Sequence, residues 1–72
     1  MECTMDDLER VYNAAKTQRL DVCLELTTGG VIINKYNKLD TTLEYFKKNY
    51  DYNLVNKSDK NIKVVNIKVW RR

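Results

Sequence analysis

The chain has no histidine and no proline, one serine, two cysteines and two glycines in 72 residues. Without imidazole, and with Ser58 as the single serine, the Ser–His and Cys–His nucleophile arrangements are excluded. Cys3 and Cys23 stand far apart, with none of the paired spacing that zinc ligands show. The expectation is no catalytic residues, no cofactor and no metal. No uninterrupted apolar run exceeds three residues, whereas a membrane-spanning helix needs about 20. The opening Met1-Glu2-Cys3-Thr4-Met5-Asp6-Asp7 is acidic and lacks the apolar stretch of a secretory leader. A cytoplasmic chain is therefore expected.

What is there forms one domain, residues 1–72. A chain of this length buries only about 60% of its unfolded surface, so the core is thin. Disulfides, metals and self-association are the usual remedies. A Cys3–Cys23 bridge is not expected, because one cysteine sits at the N-terminus and the other inside a strand pattern; two free thiols fit a reducing compartment. Homodimerisation is the remaining remedy, the alternative being a marginal monomer.

Thr4 and Asp7 make a loose capping box, and Met5, Leu8, Val11, Tyr12 and Ala15 follow at helical spacing. A helix is predicted over 5–17, with Asp6, Asp7 and Glu9 at its positive end and Lys16 at its negative end. Leu20, Val22, Leu24 and Leu26 then alternate with polar residues and Cys23, the period of a half-buried strand. Thr27-Thr28-Gly29-Gly30 turns the chain and Val31–Tyr36 returns antiparallel, its core-facing register left open. A second helix is predicted with Asp40 or Thr41 as N-cap, Thr41 pairing with Glu44 in a capping box. Leu39, Leu43, Phe46 and Tyr50 form its apolar stripe. Asn49–Asn61 is polar and turn-rich, pinned to the core or to the sheet edge by Leu54 and Val55. Ile62–Trp70 closes the chain as a β-branched strand. Its two apolar registers are reconciled by a bulge near Val64-Val65, or by burial on both faces. The order α-β-β-α-β predicts a two-layer α+β fold: a three-stranded antiparallel sheet with two helices on one face.

Several arrangements that resemble sites read more simply as structure. Asp21 and Glu25 would lie about 13 Å apart along a strand, too far for a glycosidase pair, and read as outward solubilising charges. Asp6-Asp7-Glu9 reads as a helix N-terminal cluster. Thr28-Gly29-Gly30 joins two strands and precedes no helix, so it is no phosphate cradle.

Charge is unevenly placed. Residues 1–34 hold three cations against six carboxylates, and residues 35–72 hold ten against four. The basic half also carries Tyr36, Tyr45, Tyr50, Tyr52 and Trp70, of which Tyr50 falls on the apolar helix stripe. Cations mixed with aromatic rings serve nucleic-acid binders, and the same rings form the hot spots of protein interfaces. The candidate partner-binding residues are Lys47, Lys48, Tyr52, Lys63, Lys68, Trp70, Arg71 and Arg72. A solvated, solubilising surface accounts for the same charges.

The segments Met5-Asp6-Asp7-Leu8-Glu9-Arg10-Val11-Tyr12, Ile32-Ile33-Asn34, Leu43-Glu44-Tyr45-Phe46-Lys47-Lys48-Asn49-Tyr50 and Ile62-Lys63-Val64-Val65 resemble small accessory proteins encoded by phages and prophages of low-GC Gram-positive bacteria. The Lys- and Asn-rich, proline-free composition is similar. The resemblance implies an accessory protein in the host cytoplasm that binds and inhibits or redirects a host protein. Anti-CRISPR proteins are the best-known such class, which makes a CRISPR–Cas effector a candidate target. Many of them are acidic mimics of DNA; this basic chain departs from that pattern. Binding would occlude a partner's surface through the open sheet face, an edge strand or the basic C-terminal segment. The alternative expectation is a nucleic-acid-binding protein that uses the Lys/Tyr/Trp-rich C-terminal half.

Overall fold

The computed structural model describes residues 3–70. Helix α1 spans Met5–Gln18. It starts where the capping box closes: Thr4 Oγ1 accepts from the Asp7 N–H at 3.3 Å and Asp7 Oδ2 accepts from the Thr4 N–H at 3.0 Å. Its end is set by Arg19, which adopts the left-handed conformation (φ 58°, ψ 44°). The Leu20 N–H reaches back to the Ala15 carbonyl at 2.9 Å and the Arg19 N–H to that of Lys16 at 3.3 Å. This is a Schellman-type ending built on arginine where glycine is usual.

Strand β1, Asp21–Leu26, pairs with β2, Val31–Asn34. The turn is closed by two backbone bonds: Gly29 N–H donates to Leu26 O, and Leu26 N–H donates to Gly30 O. Gly29, at φ 87°, supplies the left-handed step that closes such a hairpin. The register left open in the sequence resolves with Ile32 packed toward the core and Val31 and Ile33 on the opposite side.

A single 3-10 turn, Tyr36–Lys38, runs directly into α2, Leu39–Asn49. The expected N-caps are corrected here. Lys38 occupies the cap position without a side-chain bond, and Asp40 and Thr41 lie inside the first turn. The helix starts early because Leu39 is buried and belongs to the stripe with Leu43, Phe46 and Tyr50. Asp40 is not idle in that first turn: it accepts from Lys16 of α1 at 2.6 Å, and it sits at the positive end of the dipole.

The polar stretch after α2 is ordered by carboxylate and amide turns. Asp51 Oδ1 accepts from the N–H of Asn53 and of Val55, Asn56 Oδ1 from those of Ser58 and Asp59, and Asp59 Oδ1 from that of Asn61. These are the local bonds for which Asn and Asp are favoured in turns. Leu54 plugs into the core from this loop in the left-handed conformation, φ 61°.

Strand β3, Val64–Trp70, pairs antiparallel with β1, giving the order β2-β1-β3. Glu25 faces Asn66 and Leu26 faces Val64, which leaves Val65 as the extra residue of a bulge. Ile62 and Val64 do not simply continue the pairing seen at the far end of β3. On their outer side they meet the loop: Asn56 N–H donates to Ile62 O at 2.9 Å and Val64 N–H to Leu54 O at 3.1 Å.

Both helices feed one core with the sheet. Leu8, Tyr12 and Ala15 from α1 meet Val22 and Leu24 from β1, Leu39 and Phe46 from α2, and Tyr50, Leu54 and Val64. The fold is thus a two-layer α+β domain, with a three-stranded antiparallel sheet and two helices on one face. Cys3 and Cys23 are both free thiols.

Candidate functional site: the uncovered sheet face

With both helices on one side, no described helix or strand forms a layer over the other face of the sheet. The pairing register assigns its occupants, since opposed residues of antiparallel strands share a face. Val31, Glu25 and Asn66 form one row, Ile33, Cys23 and Lys68 the next, and Asp21 and Trp70 a third. Val31, Ile33 and Trp70 are each about half exposed, at 56%, 50% and 52%. Cys23 stands between Ile33 and Lys68 in its row and is buried.

The polar groups on this face are paired. Lys68 Nζ meets Glu25 Oε1 at 2.7 Å, and Asn66 Nδ2 donates to the same oxygen at 3.2 Å. The hydrogen bond and charge of Lys68 hold the Glu25 carboxyl below its usual range, and Glu25 raises the Lys68 ammonium in turn. Asp21 departs from the outward, solubilising role expected of it. It is only 2% exposed, accepts from the Tyr36 N–H at 3.0 Å and pairs with Lys35 at 3.5 Å. Its carboxylate fastens the start of the 3-10 turn to the central strand.

The candidate residues named from the sequence divide among three places. Lys68 and Trp70 come together on the uncovered face. Lys63 precedes β3, its N–H bonded to Thr27 Oγ1 at 3.0 Å. Lys47, Lys48 and Tyr52 belong to α2 and the loop after it; Lys47 reaches Glu9 at 3.6 Å and the Tyr52 hydroxyl donates to Asp6 at 3.1 Å. Arg71 and Arg72 lie outside the described residues. Sequence reasoning does not single out Val31 and Ile33 as site residues, although the parity of the hairpin places them once the loop length is known.

The charge asymmetry between the halves of the chain has a structural outlet. Lys35, Lys47 and Lys68 of the basic half pair with Asp21, Glu9 and Glu25 of the acidic half. Part of the uneven charge is therefore folded against itself. The Lys47–Glu9 and Lys68–Glu25 pairs are exposed and add little stability, whereas the Asp21 carboxylate is buried beside Lys35; all three lower the free cation density of the surface.

Among the described residues, no group of three or more Cys, Asp or Glu side chains is placed to hold a metal ion. No described helix is long and apolar enough to cross a membrane. The chain matches no protein-family model, and neither a curated protein nor a solved structure matches it.

Proposed function

We propose that this protein is a non-catalytic binding protein that seats its uncovered sheet face against another protein. The observation that carries the reading is the composition of that face. Two branched aliphatic side chains and the only tryptophan stand half exposed around an ion pair whose charges already cancel. Protein interfaces favour such a surface: aromatic and aliphatic anchors, with few unpaired charges to desolvate. The nucleic-acid alternative has less support, because Lys35, Lys47 and Lys68 are engaged with carboxylates and the candidate cations are spread over both layers.

The resemblance to phage accessory proteins gives the partner its class, a protein of the bacterial host, with a CRISPR–Cas effector as the first candidate. The mode of action is occlusion: the sheet face covers a surface the host protein needs. Purified tagged protein incubated with Gram-positive host lysate, and separately with purified CRISPR–Cas effectors, tests the reading. Ile33→Asp and Trp70→Ala are expected to release the captured partner, while Lys47→Glu/Lys48→Glu retains it. If the pattern reverses, and binding to DNA or RNA falls steeply with salt as phosphate contacts require, the nucleic-acid reading replaces this one.

A further inference from the structure

Among the described residues, two that carry a Cβ hold the left-handed conformation, Arg19 (φ 58°) and Leu54 (φ 61°). Leu54 offsets the strain by burying its side chain in the core. Arg19 has no such compensation. It is exposed, and its guanidinium meets no carboxylate among the described residues. Backbone held in an unfavourable region without internal compensation is a mark of functional positions.

Lys38 departs from local preference in a similar way. It stands at the N-cap of α2, where Ser, Thr, Asp and Asn are favoured, yet makes no side-chain cap bond. Its charge lies at the positive end of the helix dipole, where a cation is disfavoured. It too is exposed and meets no carboxylate among the described residues.

Both residues belong to one end of the molecule. Lys16 and Asp40 join the last turn of α1 to the first turn of α2 at 2.6 Å, and α1 also touches the 3-10 turn that ends at Lys38. Strand β1 begins two residues after Arg19, with Asp21 opposite Trp70. This end contributes the carboxylates of Asp21 and Asp40, and both are engaged, by Lys35 and Lys16. Arg19 and Lys38 are the cations left over, and they border the Asp21–Trp70 row of the uncovered face.

We propose that Arg19 and Lys38 form a cationic rim to that face and take a carboxylate-bearing segment of the partner protein, seated beside Trp70. This rests on the protein-binding reading and names the chemistry of the partner's surface. The arginine fork binds a carboxylate through two parallel N–H donors, and the Lys38 ammonium takes a second one. Charged groups suit the rim of an interface whose centre is apolar. Opposite charges across such a rim fix register and speed encounter. Nucleic acid fits less well, because its backbone needs a track of cations, and this end supplies two among the described residues that are not already engaged.

The test selects random short peptides on the immobilised full-length protein. Enriched peptides are then titrated against the protein in solution by the fluorescence of Trp70, the only tryptophan. They are expected to carry Asp or Glu next to apolar residues. Arg19→Gly and Lys38→Asp each install a residue that the local backbone favours, so urea midpoints should equal or exceed wild type. Affinity for the acidic peptides should nonetheless fall about tenfold in each. A purely structural role would move stability and binding in the same direction. Ile33→Ser keeps two failures apart. Acidic peptides weakened by the two cation variants but not by Ile33→Ser support the rim and count against the apolar face. Peptides that both cation variants bind as tightly as wild type overturn the rim, even where Ile33→Ser releases them and the face reading stands. Selection of no peptide, or of peptides without carboxylates, overturns it as well. So does single-stranded DNA that binds the wild type and is lost in the same two variants, which would assign these cations to phosphates.

Discussion

Asn34 Nδ2 donates a hydrogen bond to the hydroxyl oxygen of Tyr12 inside the core, tying the end of β2 to the middle of α1. Both residues are buried. The bond lets a long aromatic side chain fill the space between helix and sheet without stranding its hydroxyl, and it satisfies an amide that would otherwise be desolvated alone.

Removing one partner should therefore cost more than the bond itself. Tyr12→Phe leaves the Asn34 amide facing carbon, and unfolding in urea is expected to show a loss of about 1–3 kcal/mol. Replacing both groups, Tyr12→Phe with Asn34→Leu, should cost less than the two single changes added together, because no orphan remains.

The same burial makes stability sensitive to alkali. Loss of solvent raises the Tyr12 hydroxyl well above its ordinary value of 10, outweighing the opposing effect of the Asn34 bond. The folded state then holds this proton at pH values where the unfolded chain releases it. The Tyr12 contribution is complete below pH 10 and declines as pH rises beyond it, by about 1.4 kcal/mol per pH unit. Urea midpoints measured from about pH 8 to 11 should fall more steeply for the wild type than for Tyr12→Phe, and equal slopes would refute the assignment.

Arg19 closes α1 in a conformation that costs a residue with a Cβ roughly 1–2 kcal/mol. Arg19→Gly removes that cost and is expected to raise stability by up to about 1 kcal/mol, part of the gain being returned as unfolded-state entropy. Arg19→Val should lower it, since a β-branched residue tolerates this region least. Thermal melts of the three chains give the order directly.

Leu54 combines a buried side chain with the same left-handed backbone. Leu54→Ala opens a cavity and should destabilise by about 2–5 kcal/mol. Leu54→Gly loses nearly the same buried volume but relieves the backbone, so it is expected to be no worse than alanine. That inverts the usual ranking of these residues in regular structure. A glycine variant clearly less stable than the alanine one would show that the backbone there is not strained.

Local patterning in the sequence carries most of this fold. The Thr4–Asp7 box starts α1, the alternation from Leu20 to Leu26 makes β1, and the glycine pair turns the hairpin. Even the bulge at Val65 is legible, because two apolar registers in one strand need an extra residue between them. The start of α2 departs from the sequence expectation for a reason that is not local. Thr41 and Glu44 have the spacing of a sound capping box that the helix does not use, because burying Leu39 against the core outweighs a cap bond of about 1 kcal/mol. Asp21 departs likewise, since only the folded chain brings the Tyr36 amide and Lys35 to its carboxylate.

The candidate surface shows the same division. Periodicity says that one face of the sheet is polar and uncovered, and composition says that the second half is basic and aromatic. Neither states which cations meet carboxylates from the other half, since Lys68–Glu25 and Lys47–Glu9 join residues far apart in the chain. The sequence by itself determined the elements, their order and the side that β1 turns inward, because these depend on neighbours a few residues away. The tertiary structure alone decided where the charges cancel, that Val31, Ile33 and Trp70 share one open face, and that no described segment covers the edge of β3 beyond Val64. Those are properties of contacts between distant segments, and they exist only once the chain has closed on itself.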